Sequence, residues 1–254
     1  MSPIIPINRK GLFPGVDNSL NTQGQISSHM DERDLHVDYS RVRWVAPIGF
    51  TTQTALSAAG FYTSLAGASA GTASAVGTSG GFIKLYCSAA SGNYAGCGRS
   101  GIGMIMSDSP ELEIGFRVAS LTGQRFHFEL HKDADEYITV RIASGGAVEY
   151  ICNDKSGAAS GAWLGQVDGF NAQPATLTVV KNTWYRMTLG VNSSGVPYLI
   201  NHGSDGSRDV YTLAPTAGIT ITAGLYLPRA KVFSTAGGAA EAHIKSWVES
   251  NDIM

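Results

Sequence analysis

The residues best suited to acid–base chemistry form a short alternating stripe near the middle of the chain. His127, Glu129 and His131 occupy every second position of one segment. In a β-strand such positions share a face, so two imidazoles and a carboxylate could exchange protons with a substrate or ligate a metal ion. The pattern favours a simpler interpretation, in which the stripe lies on the solvent face of a strand. The apolar residues predicted for its core face are Phe126, Phe128 and Leu130.

Other reaction-specific motifs give no support for catalysis. No Gly-x-Ser-x-Gly sequence with a plausible His and Asp partner stands out, and Gly101-Ile102-Gly103 lacks the lysine of a phosphate-binding loop. Cys87, Cys97 and Cys152 show no CxxC spacing, which argues against a zinc site or a disulfide framework. We expect reduced thiols in or near the core, with a Cys87–Cys97 bridge as the alternative, and we predict no cofactor and no metal ion.

The elements that must position these residues are short alternating strands separated by turns of Gly, Asn, Asp and Ser. The clearest unit is a strand at 184–189, a turn at 190–195 and a strand at 196–200. The other predicted strands are 42–45, 82–87, 112–118, 125–131, 137–142, 147–152, 176–180, 209–213, 219–227 and 242–248. No segment keeps a helical period over three turns. The sequence therefore predicts an all-β protein, an antiparallel sandwich or barrel.

Two regions differ from this pattern. Residues 66–81 are almost wholly Ala, Gly, Ser and Thr, which is typical of a long loop or of a backbone that approaches a partner closely. Residues 1–45 are broken by Pro3, Pro6 and Pro14 and predict an extended N-terminal arm before a sandwich domain at 46–254. An inert leader is the alternative for this arm. The apolar arm residues that favour contact with a partner are Ile4, Ile5, Ile7, Leu12 and Phe13.

The composition of the chain excludes some classes of function. With 254 residues and 43% hydrophobic residues, the chain can bury a substantial core, while charged residues make up only 15%. Net charge is −2 and no basic block is present, so we expect no nucleic-acid partner. The apolar runs are too short to span a bilayer, and the N-terminal charges follow the apolar residues, the reverse of a secretory signal. We therefore expect synthesis in the cytoplasm and no membrane partner.

The order of elements from residue 82 onward carries a resemblance to a known family. The segments concerned are strand 113–118, the hairpin 126–142, the strands 184–189 and 196–200, and the closing strand 242–248. Together they resemble the concanavalin A-like lectin/glucanase jelly roll, also called LamG-like, over roughly two thirds of the 254 residues. The resemblance implies a two-sheet antiparallel β-sandwich. It leaves function open, because the family contains enzymes, sugar-binding modules and purely structural virion domains.

The resemblance also indicates where enzymes of this family carry their chemistry. Its glycoside hydrolases have a Glu-x-Asp-x-Glu type strand that places carboxylates on one face. The nearest match is Glu111 with Glu113, but Gly115 replaces the third carboxylate and Arg117 follows. Its lyases combine a Gln-x-His strand with a Tyr-rich strand, and residues 124–127 and 225–233 match these only faintly. A polysaccharide-degrading activity centred on His127 is therefore the least favoured hypothesis.

Ligand sites of the family's binding modules have partial counterparts. Calcium in its lectins sits on loop carboxylates, for which Asp133, Asp135 and Glu136, or Asp205 and Asp209, are candidates without EF-hand spacing. We do not predict a metal at either position. The aromatic residues that could stack on sugar rings are Trp163, Trp184, Tyr185 and Tyr198, of which we select Trp163 and Tyr198 as candidate glycan-binding residues.

Three functions follow, in order of preference. The first is a non-enzymatic bacteriophage virion protein, a capsid decoration or cement subunit whose arm attaches it to other virion proteins. It would form homo-oligomers and be located in the virion. The second is a carbohydrate-binding jelly-roll module of a tail fibre or receptor-binding protein. The third is a polysaccharide lyase or hydrolase.

Overall fold

The computed structural model describes 41–45, 60–66, 73–76, 82–89, 91–99, 104–132, 136–154, 171–172, 177–213, 224–235 and 239–252. The chain divides after Ser40, and Arg41–Met254 forms one compact unit. Of the predicted arm, only residues 41–45 are described, and they form a strand. Ile4, Ile5, Ile7, Leu12 and Phe13 lie outside the described residues, so the proposed arm contacts stay a prediction.

The described residues form β-strands and a single 3₁₀ turn, Met106–Asp108. The strands are β1 (Arg41–Val45), β2 (Phe61–Ala66), β3 (Ala73–Val76), β4 (Phe82–Cys87), β5 (Tyr94–Arg99), β6 (Met104–Ile105), β7 (Glu111–Val118), β8 (Gln124–His131), β9 (Glu136–Ile142), β10 (Val148–Asp154), β11 (Asn171–Ala172), β12 (Tyr185–Val191), β13 (Pro197–His202), β14 (Arg208–Thr212), β15 (Leu225–Ser234) and β16 (Ala240–Asp252).

Two antiparallel sheets stack into a sandwich, as the sequence predicted. Sheet A has the order β14-β13-β12-β7-β16-β4-β3, with β1 also pairing with β16. Sheet B has the order β11-β10-β9-β8-β15-β5-β2, with β6 pairing with β15. The chain crosses between the sheets from β7 to β8, so these two strands face each other across the core.

The core is built by the alternation that identified the strands. Leu112, Ile114, Phe116 and Val118 of β7 are fully buried, and so are Phe126, Phe128 and Leu130 of β8. The Phe116 ring lies 4.9 Å from that of Phe126 and 5.9 Å from that of Phe128, which joins the two sheets at their centre. Burying each such ring contributes roughly 2–3 kcal/mol. This layer fixes which side chains of β7 and β12 point outward.

A β-bulge in β16 shifts this alternation once. Ile244 pairs with Phe116 and Ser246 with Gly115, so Lys245 is the extra residue between two consecutive pairs with β7. A bulge of this kind bends a strand and redirects a side chain. It leaves Lys245 exposed and returns Trp247 to the core, where its ring lies 5.2 Å from that of Phe61.

Some strand predictions were wrong. β5 was not predicted, and β3 lies within residues 66–81, which the sequence indicated as a loop. Conversely, residues 177–180 of the strand predicted at 176–180 contribute only an isolated bridge, from Thr178 to Ala147. Short side chains explain the first errors, because Gly, Ala and Ser strands lack an apolar alternation even where the backbone pairs.

Candidate ligand-binding face

The stripe of β8 lies on one face, as predicted, but that face is not open to solvent. His127 and Glu129 are completely buried and His131 is 7% exposed. The prediction of a solvent face was therefore wrong. Lys231 of β15 places its Nζ atom 2.9 Å from Oε1 and 2.8 Å from Oε2 of Glu129, and the Thr139 hydroxyl of β9 donates to Oε2 at 2.9 Å. Neighbouring strands thus supply the polar partners that water would otherwise provide.

Electrostatics on this face do not suit general acid catalysis. Burial, together with the nearby Lys231 and Arg141 charges, holds the pKa of His127 well below its ordinary value, so the imidazole is neutral. Burial alone would raise the pKa of Glu129, but the positive groups around it, Lys231 first among them, together outweigh burial and the pKa is lowered. A general acid or base works best with a pKa near the working pH, and both groups are displaced from that range and enclosed.

The outer face of sheet A is more accessible and carries the carboxylate pair of β7. Tyr198 of β13 donates its hydroxyl hydrogen bond to Oε1 of Glu111, and Ser250 of β16 donates to Oε2 at 3.3 Å. A Cβ atom added at Gly190 of β12 would lie 2.5 Å from Cζ of Tyr198. The tyrosine ring therefore passes over Gly190 and spans from β13 to β7, two strands and about 10 Å away.

We call Tyr198, Gly190, Glu111 and Ser250 the Tyr198 platform. Because the ring follows the sheet surface across a glycine, one ring face is directed at the sheet and the other away from it. The side chain is half-buried, and its hydroxyl is fixed by Glu111. An aromatic ring held in this way presents a rigid surface to which the apolar face of a sugar ring can bind.

A second polar group, the Glu113 cluster, lies beside the platform. The Thr188 hydroxyl is 2.8 Å from Nε2 of His202, and the same nitrogen lies 3.8 Å from Oε2 of Glu113. Arg186, whose side chain is 55% exposed, approaches Oε1 of Glu113 at 4.0 Å. Burial and the charges of Arg186 and Arg208 lower the pKa of His202 to about 4, which keeps it neutral near pH 7. Thr188 and the His202 side chain are buried, so the groups of this cluster that a ligand on the platform could reach are Arg186 and the partly exposed Glu113.

The geometry of β7 does not assemble the three carboxylates of a glycoside hydrolase strand. Gly115 occupies the third position, and a Cβ atom there would overlap the Oγ atom of Ser246. A carboxylate could stand at this position only if the Ser246 side chain moved aside. Glu111 is also engaged by Tyr198 and Ser250, so it is not disposed as a free nucleophile.

An aromatic and cationic group, the Trp184 cluster, lies at the other end of this face. It comprises Trp184, Arg117, Lys245, Phe82 and His243. The guanidinium of Arg117 is 5.0 Å from the centroid of the Trp184 ring, and Nζ of Lys245 is 4.8 Å from it. Arg117 also lies 5.6 Å from the Phe82 ring and donates from Nε to Nδ1 of His243 at 2.8 Å. Because cations lie over the indole, Trp184 is not an open stacking surface.

The remaining predicted positions do not form a site in the described part of the chain. Glu136 pairs with Lys132, and Asp205 accepts a hydrogen bond from the Ser207 amide at 3.0 Å. Over the residues described, no group of three or more His, Cys, Asp or Glu side chains could hold a metal ion. Asp133, Asp135 and Trp163 lie outside those residues, so Trp163 stays a prediction.

The structure excludes the Cys87–Cys97 bridge that the sequence left open as an alternative. Cys87 and Cys97 are both free and fully buried, so no bridge joins them. Burial raises the pKa of Cys97 to about 12 and also raises that of Cys87. Both residues therefore behave as core side chains, while the side chain of Cys152 lies outside the described residues.

Solved structures with the same arrangement of two sheets identify the fold. The Ca²⁺-bound exoplasmic/lumenal domain of VIP36 superposes with a TM-score of 0.53 at 9% identity, over 83% of this chain and 90% of that chain. The Lotus tetragonolobus seed lectin gives 0.51 at 9% identity, over 84% and 100%. Apo Crh5 transglycosylase gives 0.53 at 14% identity, over 85% of each chain. The fold is the concanavalin A-like lectin/glucanase jelly roll.

Sequence comparisons add no closer relationship. No protein-family model and no curated protein sequence matches the chain. At these identities the structural similarity shows the fold alone, which lectins and a transglycosylase share. No described helix is long and apolar enough to cross a membrane.

Sequence reasoning found part of this face and missed the rest. It selected Tyr198 as a candidate glycan-binding residue and Glu111 with Glu113 as a carboxylate pair, and the structure brings all three onto one face. It did not connect Tyr198 with Glu111, nor Trp184 with Arg117 and Lys245. The one available signal was Gly190 at an outward position of a strand, since glycine there permits a side chain to cross.

Proposed function

We propose that this protein is a carbohydrate-binding jelly roll that binds a sugar on the outer face of sheet A without cleaving it. The observation that carries the proposal is the Tyr198 ring, which crosses Gly190 and is fixed by Glu111. Binding sites for small ligands combine a rigid apolar surface with a few placed polar groups. The Glu113 cluster supplies such groups next to the ring.

The non-catalytic part of the proposal rests on two features of the same molecule. The third carboxylate position of β7 is Gly115, backed by Ser246, and the acid–base stripe of β8 is enclosed. The solved structures named above support glycan recognition only as a fold-level analogy. The residues on β7 and β13 support it by their geometry.

The test is binding to a panel of immobilised glycans with the full chain and single variants. Tyr198→Ala is expected to weaken binding about tenfold, because it removes the aromatic surface. Tyr86→Ala removes an equally sized ring, 38% exposed, from β4 on the same sheet and is the matched control. No binding to any glycan, or an equal loss in both variants, would overturn the proposal.

A structural role in a virion is the second candidate, and one observation favours it. β14 pairs with β13 alone among the described strands, and all of its residues except Tyr211 are exposed. Val210 at its centre is 63% exposed. An open, partly apolar edge of this kind can accept a strand from another subunit.

This second candidate is tested by assembly rather than by ligand binding. The unit Arg41–Met254 should remain folded when residues 1–40 are deleted. We expect that truncation to lose oligomerisation, measured by sedimentation velocity, and to lose attachment to bacteriophage particles. Unchanged assembly of both the truncation and a Val210→Lys variant would argue against the virion role.

A further inference from the structure

The Trp184 cluster has an excess of positive charge that its own residues do not neutralise. Nδ1 of His243 accepts from Arg117, so Nε2 carries the hydrogen and donates to Oε1 of Glu241 at 2.6 Å. Oε2 of Glu241 pairs with Nζ of Lys84 at 2.9 Å. Glu241 therefore neutralises Lys84, and His243 contributes no charge.

Arg117 and Lys245 are left without an acidic partner in the part of the chain that is described. The Arg117 guanidinium lies 5.0 Å and the Lys245 ammonium 4.8 Å from the Trp184 centroid, so two like charges contact one indole. Arg117 is half-buried and Lys245 is exposed, and the bulge in β16 is what directs Lys245 outward beside the ring. Two like charges that contact the same ring create a local positive potential, which favours the binding of an anion between or above them.

We propose that the Trp184 cluster binds the acidic groups of a polysaccharide, a uronate or a sulfated sugar, and that this is the ligand class of the sheet A face. The inference rests on the proposed glycan-binding function. A carboxylate or sulfate would accept hydrogen bonds from the free Nη groups of Arg117 and from Nζ of Lys245. The Trp184 and Phe82 rings cover the flanks of that site.

The position of the cluster relative to Tyr198 indicates a chain rather than a single sugar. Tyr198 pairs with Gly190, and Gly190 pairs with Glu111, so the platform lies at the Glu111 end of β7. Trp184 contacts Arg117, so its cluster lies at the other end of that strand. The two sites are thus separated by six residues of β7, roughly 20 Å. Carboxylates Glu111 and Glu113 at the platform end repel acidic groups, so we assign the neutral part of the ligand to Tyr198 and its acidic part to Trp184.

The experiment measures calorimetric binding of the full chain to three probes: a polyuronate, dextran sulfate and neutral dextran. Lys245→Gln and Arg117→Gln should each lower the affinity for the acidic probes about tenfold, as expected for the loss of one charge-assisted hydrogen bond. Arg125→Gln removes the same charge from β8 on the other sheet and should leave affinity unchanged. Affinity for acidic probes should also fall as salt is raised.

The outcomes separate this inference from the proposed function. Neutral glycans that bind through Tyr198, with no effect of Lys245→Gln or Arg117→Gln, would overturn the acidic ligand and keep the glycan-binding function. No glycan binding at all would overturn both. Equal binding of polyphosphate or duplex DNA, lost in the same variants, would overturn the assignment to a polysaccharide. If Arg117→Gln fails to fold, Lys245→Gln alone decides, because its side chain is exposed.

Discussion

Nζ of Lys231 lies 2.9 Å from Oε1 and 2.8 Å from Oε2 of Glu129, and both side chains are completely buried on the outer face of sheet B. The two residues come from β15 and β8, which are neighbours in the sheet. A buried pair is costly to break, since removing one partner leaves an uncompensated charge away from water.

Lys231→Met should therefore destabilise the protein by about 3–5 kcal/mol. The double variant Lys231→Met with Glu129→Leu should recover much of this loss, because no charge is left unpaired. Lys84→Met is the matched control, as its pair with Glu241 is partly exposed and is worth about 1 kcal/mol or less. Urea unfolding monitored by circular dichroism measures all three, and equal losses in Lys231→Met and Lys84→Met would contradict the prediction.

Glu129 should make stability fall in acid. Its pKa is lowered in the folded state by Lys231 despite burial, so its contribution is fully present above the unfolded pKa of about 4.5. That contribution is lost as the pH falls from there through the folded pKa. Glu129→Gln should remove this part of the dependence, which is seen as a smaller decrease in the free energy of unfolding between pH 5 and lower pH. A parallel decrease in both proteins would refute it.

Glu249 should change the free energy of unfolding with pH in the direction opposite to Glu129. Burial raises its pKa, although Trp247 donates to Oε1 at 2.7 Å and Arg99 to Oε2 at 2.9 Å. A raised pKa means that the folded state binds the proton more tightly, so stability relative to Glu249→Gln should decrease as pH rises from about 4.5 through the folded pKa. The free energies of unfolding of the two proteins, compared across pH 4–8, give this difference directly. A difference that grows with pH in favour of glutamate would show that the sign is wrong.

Gly190→Ala should impair the platform more than it impairs the fold. The new Cβ atom would lie 2.5 Å from Cζ of Tyr198 and would lift the ring away from Glu111. We expect glycan affinity to fall about tenfold with a change in unfolding free energy of about 1 kcal/mol. Tyr198→Phe keeps the ring in place without its hydroxyl and should lose less affinity than Gly190→Ala. The reverse order of these two variants would show that the hydroxyl, rather than the ring position, matters.

The strands that form the centre of the fold could be predicted from alternation alone. In β7, in residues 126–130 of β8 and in residues 187–191 of β12 every second residue is apolar and reaches the core, so the local pattern and the tertiary environment agree. β5 could not be found in this way, because Gly96 and Gly98 interrupt the pattern. Gly98 has a tertiary cause: the Tyr62 ring from β2 lies where its Cβ atom would be.

Which outward residues meet was decided only by the tertiary structure. Glu129 and Lys231 are 102 residues apart, and Glu111 and Tyr198 are 87 apart. Alternation states that a side chain points away from the core, but strand order and register determine what stands beside it. For that reason the pattern of the sequence by itself determined an antiparallel all-β fold and most of the residues of its central core. Only the tertiary structure shows that the β8 stripe is buried beside Lys231 and that the more accessible face is the one that carries Tyr198 and Trp184.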